Sequence, residues 1–461
     1  MEKLMRSTFI IKPLVTAVAA LSVASVASAA GLDRSGQDIS AFLQDGTYAE
    51  TVYTYIDADV TGKDVRGNKI KDIAEDYDFF RYGVKTDIDD TFSIGVLYDE
   101  PWGAAADYSG NNIFVAQGDV NASVNHISGG KFENALQAQQ KYSELEGAVK
   151  AEIAAGRKPP KELTDALTQV GAVLGAAEVE ANTVGEATKV EVRTESLTGL
   201  VGMKFGQNKE FQVYGGPVAQ RLKADVKLRG MGYEAATGYN LNVNPDTDYG
   251  WVAGLQYSKP EIALKAALTY RSEIDHNVDA AETMPLLERL GQESSAVSKM
   301  KVTTPESVNF DFQTGINPTT LATAKVRWVP WSDFAITPPV YNQSTKRVYP
   351  EGLNLVDYAD DQWQVELGLA KRVADNLAVS GTVGWDSGAG NPVTSLGPIE
   401  GYYSVGLGAK YDFNKNWAVS AGGKYLMFGD AKGKIPNDNI VGNFEDNDGF
   451  ALGVKLSYQD K

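Results

Sequence analysis

The sequence predicts an all-β fold: a 14-stranded antiparallel transmembrane β-barrel with a short N-terminal plug and an extracellular helical hairpin insertion. Three observations carry this. The first is alternation. Phe450, Leu452, Val454, Leu456 and Tyr458 are separated by Ala451, Gly453, Lys455 and Ser457. Tyr403, Val405, Leu407, Ala409 and Tyr411 alternate in the same way, as do Trp417, Val419, Ala421 and Tyr425. Period two puts one face against an apolar medium and the other against a polar one. The polar face is Gly, Ser, Ala and Lys, and the aromatics sit near strand ends. That is lipid outside, lumen inside and aromatic girdles between.

The second observation is a count. Fourteen segments read as strands: 48–60, 77–88, 91–99, 188–204, 210–228, 249–257, 261–274, 301–315, 321–336, 361–372, 376–385, 402–411, 417–428 and 449–458. An even number is what bacterial single-chain barrels use. The third observation is the connections. Those after even-numbered strands are short (87–90, 206–209, 258–260, 316–320, 373–376, 413–416) and those after odd-numbered strands are long. Short periplasmic turns alternating with long extracellular loops is the barrel pattern, with both termini inside.

Taken in order, residues 1–29 read as a secretory signal peptide. Lys3, Arg6 and Lys12 precede the apolar run Pro13–Val26 and then Ala27-Ser28-Ala29. The run is short for a retained anchor helix, the other reading. Its loss removes three positive charges and one negative, taking the net charge from −17 to −19. That acidic balance argues against a nucleic-acid partner. There are no cysteines, so the fold uses no disulfides. Residues 30–47 carry Leu32, Ile39, Phe42 and Leu43 without strand periodicity; they are expected to plug the lumen, a periplasmic tail being the alternative. The barrel occupies 48–461. Within it, 131–181 holds two stretches with helical spacing: Leu136, Tyr142, Leu145, Val149 and Ile153, then Leu163, Leu167, Val170 and Leu174. This hairpin is expected to pack on itself or to offer a groove to a hydrophobic ligand. The loop after the seventh strand adds Met284, Leu286, Leu287 and Leu290, a short apolar helix by the mouth.

Strand alternation assigns lumenal charges. In the fifth strand Leu222, Ala224, Val226 and Leu228 are assigned to lipid, which turns Arg221, Lys223, Asp225 and Lys227 inward. By the same rule Lys265, Arg271, Glu273, Lys325, Arg327, Lys424 and Lys455 face in. A carboxylate ligand would find compensating charge there; alternatively the cations are consumed by Asp225, Glu273 and Glu366. The only histidines, His126 and His276, lack the companions of a catalytic or metal site, so neither an enzyme nor a cofactor or metal is expected. In the third strand, Phe92, Ile94, Val96 and Tyr98 alternate and then Glu100-Pro101-Trp102-Gly103 breaks the pattern. Pro donates no ladder bond and Gly weakens a strand, so the wall either ends there or opens sideways.

Several stretches resemble the long-chain fatty-acid outer-membrane transporters, the FadL-like family that also includes aromatic-hydrocarbon transporters. They are Tyr55-Ile56-Asp57-Ala58-Asp59-Val60, Glu100-Pro101-Trp102-Gly103 with Ala106-Asp107-Tyr108, Thr269-Tyr270-Arg271-Ser272-Glu273, Thr304-Pro305-Glu306-Ser307, Trp331-Ser332-Asp333-Phe334, Gly384-Trp385-Asp386-Ser387 and Tyr411-Asp412-Phe413-Asn414-Lys415-Asn416. Their order, over nearly the whole barrel, is more specific than any one of them. The resemblance implies passive uptake of long-chain fatty acids or other hydrophobic molecules in the outer membrane of a Gram-negative bacterium. It implies capture by apolar loop helices, a lumenal site, a plug shift and exit sideways at Pro101, Trp102 and Gly103. Arg221 and Lys223, with Arg271, become candidate carboxylate contacts; Met284, Leu286, Leu287 and Leu290 match the helical loop. The expected partners are outer-membrane lipid with lipopolysaccharide and the barrel-assembly machinery, and the chain is expected to be a monomer. It departs from the family in its short plug, which lacks Asn-Pro-Ala, in a helical insertion after strand three rather than five, and in a tail ending Tyr458-Gln459-Asp460-Lys461. An adhesive display barrel and an open porin for polar solutes are the rival functions.

Overall fold

The computed structural model describes residues 32–346 and 348–460; the expected signal peptide lies outside them. Fourteen strands among the described residues close on themselves. They are β1 (Thr47–Asp59), β2 (Tyr77–Asp87), β3 (Phe92–Asp99 and, past a break, Gly103–Asp107), β4 (Lys189–Phe205) and β5 (Phe211–Lys227). Then come β6 (Asn240–Lys259), β7 (Leu264–Arg271 and Ile274–Thr283), β8 (Ser295–Thr304 and Ser307–Asn317), β9 (Thr320–Val329) and β10 (Gln362–Ala374). The last four are β11 (Leu377–Asp386), β12 (Glu400–Asp412), β13 (Trp417–Gly429) and β14 (Asp448–Asp460). Each pairs antiparallel with its neighbours, and β1 closes on β14 from Thr47–Asp460 to Asp59–Asp448. Closure pairs the strand edges, as a hydrocarbon surround without water demands, except at one interruption between β2 and β3.

Alternation does what the sequence led us to expect in the lower barrel. On β14, Leu452, Val454 and Leu456 point outward while Lys455 and Ser457 are buried inward. On β12, Leu407 is 71% exposed on the outer face, where the medium is lipid, and Ser404 is buried in the lumen. Tyr53, Phe80, Tyr82 and Tyr98 cluster on the outer faces of β1–β3, with Phe80 and Tyr82 stacked at 5.8 Å.

Above the membrane the wall changes sign. Leu222, Val226 and Leu228 are buried inside, and Arg221, Lys223 and Lys227 are exposed outside. The inward assignment of Arg221, Lys223, Asp225 and Lys227 is therefore corrected. This part of the strand stands in water, so its apolar side turns to the lumen, where it joins Leu32, Trp102 and Trp331 in one core. Glu273 is corrected too. The strand breaks between Arg271 and Ile274, which shifts the phase and leaves Glu273 outside. A one-residue shift flips every later side chain.

The extracellular side is more ordered than the sequence suggested. Strands β6, β7 and β8 run well above the membrane, so 274–304 is a tall hairpin with a short helix at its tip rather than a loop. A small five-stranded sheet joins the loops after β1, β11 and β13. The insertion after β3 has three helices: α1 (Val120–Ile127), α2 (Ala135–Ala154) and α3 (Lys161–Asn182). The sequence reading missed α1. The side chain of Asp119 caps α1 at Ala122 N and that of Asn134 caps α2 at Gln137 N, each meeting a donor that the first turn leaves unpaired. The seam of Val124, Ala138, Leu145, Val170 and Ala177 is self-contained, so the hairpin's apolar face packs on itself. Helix α3 leans on α4 (Pro285–Arg289), with Leu286 against Gly175 and Arg289 paired with Glu178.

Candidate functional site

The N-terminal segment sits in the lumen and is held there by two kinds of contact. Low in the barrel the contact is charge. Asp33 receives two bonds from Arg327 (2.6 and 3.1 Å), and Asp38 lies 3.5 Å from Arg81 and 3.3 Å from Lys325. Ser307 donates to Gln37 Oε1 at 2.6 Å, and Asn309 to the Gly36 carbonyl at 2.8 Å. Beside these, Ile39, Phe42 and Leu43 pack on Leu97, Leu200, Tyr214 and Val252. Lumenal cations are paired: Lys424 with Glu366 and Lys455 with Glu50. Arg271 does face inward, but it is buried against Thr198 and lines none of the three cavities described below.

The wall is interrupted where the sequence broke. Strand β2 pairs with β1 along Tyr77–Lys85, but with β3 only from Tyr82–Tyr98 to Asp87–Ser93. Tyr77–Arg81 thus have a strand partner on one side only. The cause is Glu100–Gly103. There the chain leaves the wall, turns inward and resumes at Gly103–Asp107, paired with β4. The plug meets the polar groups that the turn exposes. Arg34 N donates to the Pro101 carbonyl at 2.9 Å and Gly103 N to the Leu32 carbonyl at 2.7 Å. Trp102 N donates to Thr194 Oγ1, which donates back to the Trp102 carbonyl, both at 2.9 Å. Every orphaned group of a broken ladder must find such a partner. Trp102 is buried edge-on against Trp331 at 5.3 Å. Gly103 has a steric reason to be glycine: a β-carbon there would overlap the Tyr77 hydroxyl.

Behind the interruption lies an apolar chamber of about 80 Å³. Leu32, Ile56, Val60, Ile73, Val190 and Val192 line it. Arg34 and Tyr77 also face it. A second apolar pocket shares Leu32, Val192, Val226 and Ile336 with the first and continues to Trp102, Met300 and Trp331. At the extracellular mouth is a larger groove of about 240 Å³. Met284, Leu286, Leu287 and Leu290 all line it, with Ala172 of α3 and Tyr341 of α5 (Pro339–Thr345). Three of these four apolar residues are buried, with Leu290 half-buried, so the structure brings together this expected group. Glu234, where φ is +52°, also lines the groove and accepts from Asn437 and Asn439 at 3.3 and 3.2 Å. Burial raises its proton affinity above the usual carboxylate range.

Sequence reasoning placed the strand break at Pro101, Trp102 and Gly103 and a short apolar helix after the seventh strand, and the structure has both features there. The same reasoning misplaced Arg221 and Lys223, and it missed Arg34, Tyr77 and Glu234. Arg34 carried one signal, as the only basic residue between positions 30 and 47, where the acids are Asp33, Asp38 and Asp45. Tyr77 and Glu234 carried none, because their partners lie far off in sequence.

The model for the family described as outer membrane protein transport protein (OMPP1/FadL/TodX) matches residues 176–460, more than half the chain. Among solved structures, a Pseudomonas aeruginosa FadL homologue superposes with a TM-score of 0.63 at 13% identity, covering 95% of this chain and 97% of that one. The P. putida toluene transporter TodX gives 0.53 at 12% identity, covering 91% of each chain. The Ralstonia pickettii toluene transporter TbuX gives 0.52 at 10% identity, covering 97% and 98%. At these identities the likeness shows the fold. No curated protein matches by sequence.

Proposed function

This chain belongs to the outer-membrane transport protein family of OMPP1, FadL and TodX, a β-barrel family of the Gram-negative outer membrane, and from that premise we propose that it takes up long-chain fatty acids. The proposed route has three stages. The ligand is captured in the groove of Met284, Leu286, Leu287 and Leu290. It passes to the apolar chamber under the plug's first residues. It leaves sideways between β2 and β3 into the outer leaflet. One observation carries the reading: the ladder is interrupted at the place where an apolar chamber lies behind the wall. An apolar ligand crossing there stays out of water throughout, so each step exchanges one apolar contact for another and needs no energy source. The family relation and the toluene transporters among the similar folds support a hydrophobic cargo.

The test uses the absence of native cysteines. Ala105, half-buried at the chamber's edge, is changed to Cys, and a bulky maleimide is attached. Uptake of a radiolabelled long-chain fatty acid is then measured in cells. Ala105→Cys alone is expected to transport, and the labelled form to lose at least nine-tenths of uptake. Unchanged uptake after full labelling would exclude the sideways exit. Absence of uptake in the parent protein, with a heat-modifiable folded barrel, would exclude the fatty-acid reading.

A further inference from the structure

We propose that Arg34 and Tyr77 form a carboxylate-binding subsite in the chamber, where the polar head of the ligand is held before it leaves. The inference rests on the uptake reading above and names the groups that would recognise the head.

Among the described residues Arg34 has no ion-pair partner of its own. Its Nη1 donates to the Asp33 carbonyl at 2.8 Å, but the Asp33 carboxylate is occupied by Arg327. Among the described residues no carboxylate lies within ion-pair distance of Arg34. Glu75, the acid on the chamber's lining, pairs with Lys189 at 3.0 Å. The Arg34 guanidinium instead lies 5.6 Å from the centre of the Tyr77 ring, and that of Arg193 lies 4.6 Å from it. Such contacts stabilise a cation only modestly compared with a carboxylate.

Tyr77 supplies the second, independent observation. It is 4% exposed, lines the chamber, and its hydroxyl has no hydrogen-bond partner among the described residues. A buried hydroxyl without a partner is costly, and tyrosine usually finds one. Tyr77, with its orphan hydroxyl, and Arg34, with no ion-pair partner among the described residues, therefore both line one apolar chamber. A carboxylate answers both at once: guanidinium donates two parallel bonds to it, the hydroxyl a third, and the charges cancel where water is scarce. A chamber of about 80 Å³ takes the head and its first methylenes. The rest of an alkyl tail has the second apolar pocket, with Leu222, Leu241, Met300 and Val302, to lie against. The ligand class is a monocarboxylate amphiphile. The site also accounts for the chain lacking a carboxylate contact at Arg221 and Lys223, which lie outside.

The test compares a fluorescent long-chain fatty acid with the chain-matched alcohol. Both are titrated into the full-length protein in detergent, as parent, Arg34→Gln and Tyr77→Phe. Arg34→Gln keeps the backbone bond to Pro101, and gel migration with and without heating checks the fold. Arg34→Gln is expected to weaken the acid roughly 10- to 100-fold, the factor for a hydrogen-bonded charge, and the alcohol less than twofold. Tyr77→Phe is expected to weaken the acid about threefold to tenfold on the same scale. As a second readout, the carboxyl carbon of a 13C-labelled fatty acid is followed by NMR during acidification. Its ionised form is expected to persist to lower pH when bound to the parent than to Arg34→Gln. Equal losses for acid and alcohol, or no loss for the acid, would overturn the subsite and leave uptake standing. Failure of both ligands to bind the parent would instead remove the uptake reading on which it rests.

Discussion

On β14, deep in the barrel, Leu452, Val454 and Leu456 point out and Lys455 points in; on the upper half of β5, Leu222 and Val226 point in and Lys223 points out. The two stretches share one alternation with opposite sign. On β4 the change occurs within one strand, between Glu195 and Leu197 on the outer face. What differs is the medium. Below that level hydrocarbon surrounds the wall and the lumen is polar; above it water surrounds the wall and the lumen is apolar. The plug reflects the same division. Asp33 and Asp38 are held by charge from below, while Leu32 joins the apolar core above. The apolar chamber lies where the two regimes meet, which is why a cavity lined by aliphatic side chains there has a cation at its edge.

The comparison can be broken most forcefully at its lower end. Asp33→Ala leaves the guanidinium of Arg327, 4% exposed, with no ion-pair partner among the described residues, held by Asn309, Gln37 and the face of Trp102. Removing one member of a buried pair costs about 3–5 kcal/mol. The expected outcome is a loosened plug, seen as raised conductance in planar bilayers and a lower urea midpoint. Conductance equal to the parent's would show that charge does not hold the plug. Next comes the lipid-facing wall. Leu407→Arg places a charge in hydrocarbon and is expected to cost about 2–4 kcal/mol in unfolding from vesicles.

A smaller effect separates the regions by pH. The Glu180 carboxyl on α3 is buried and accepts from Gln117 N at 3.0 Å. Burial, only partly offset by that bond, raises its pKa above the usual range. An acid with a raised folded pKa binds more protons folded than unfolded. Its stabilisation is complete below the unfolded value and is lost as pH rises through the folded one. Hydrogen exchange at the C-terminal half of α3, corrected for intrinsic rates, is therefore expected to slow as pH falls from neutrality into the ordinary carboxylate range. Glu180→Gln should remove that dependence, and the lower strands should not show it.

These contrasts also explain what the sequence could reveal. Strand number, turn order and the break at Glu100–Gly103 were legible because each is local: alternation, turn residues and a proline. The face of β5 was not, because alternation fixes a period and leaves the sign to the surroundings. Arg221 and Lys223 were misplaced for that reason alone. Glu273 was lost to the break before Ile274, and α1 and α5 are too short for a helical period to stand out. Arg34 and Tyr77 meet across 43 positions of sequence, through a plug whose path is set by Arg327, Pro101 and Gly103 rather than by its own pattern.

The smallest expected effect is the sharpest test of the sign change. Lys223 is exposed on the outer wall and sits opposite Arg193 across β4–β5. Like charges facing one another on a sheet are unfavourable, so Lys223→Leu removes a repulsion and adds one isolated exposed apolar side chain. The two terms are small and opposed, and stability is expected to stay within about 0.5 kcal/mol of the parent. Fatty-acid binding is expected to be unchanged, since the side chain touches neither the groove nor the chamber. The inward neighbour supplies the contrast. Leu222→Lys puts an ammonium into the apolar core beside Trp102 and Trp331 and is expected to cost several times more, as a buried charge without a partner does. Were Lys223→Leu the more damaging of the two, measured by urea unfolding of the detergent-solubilised barrel, the upper wall would have to face the other way.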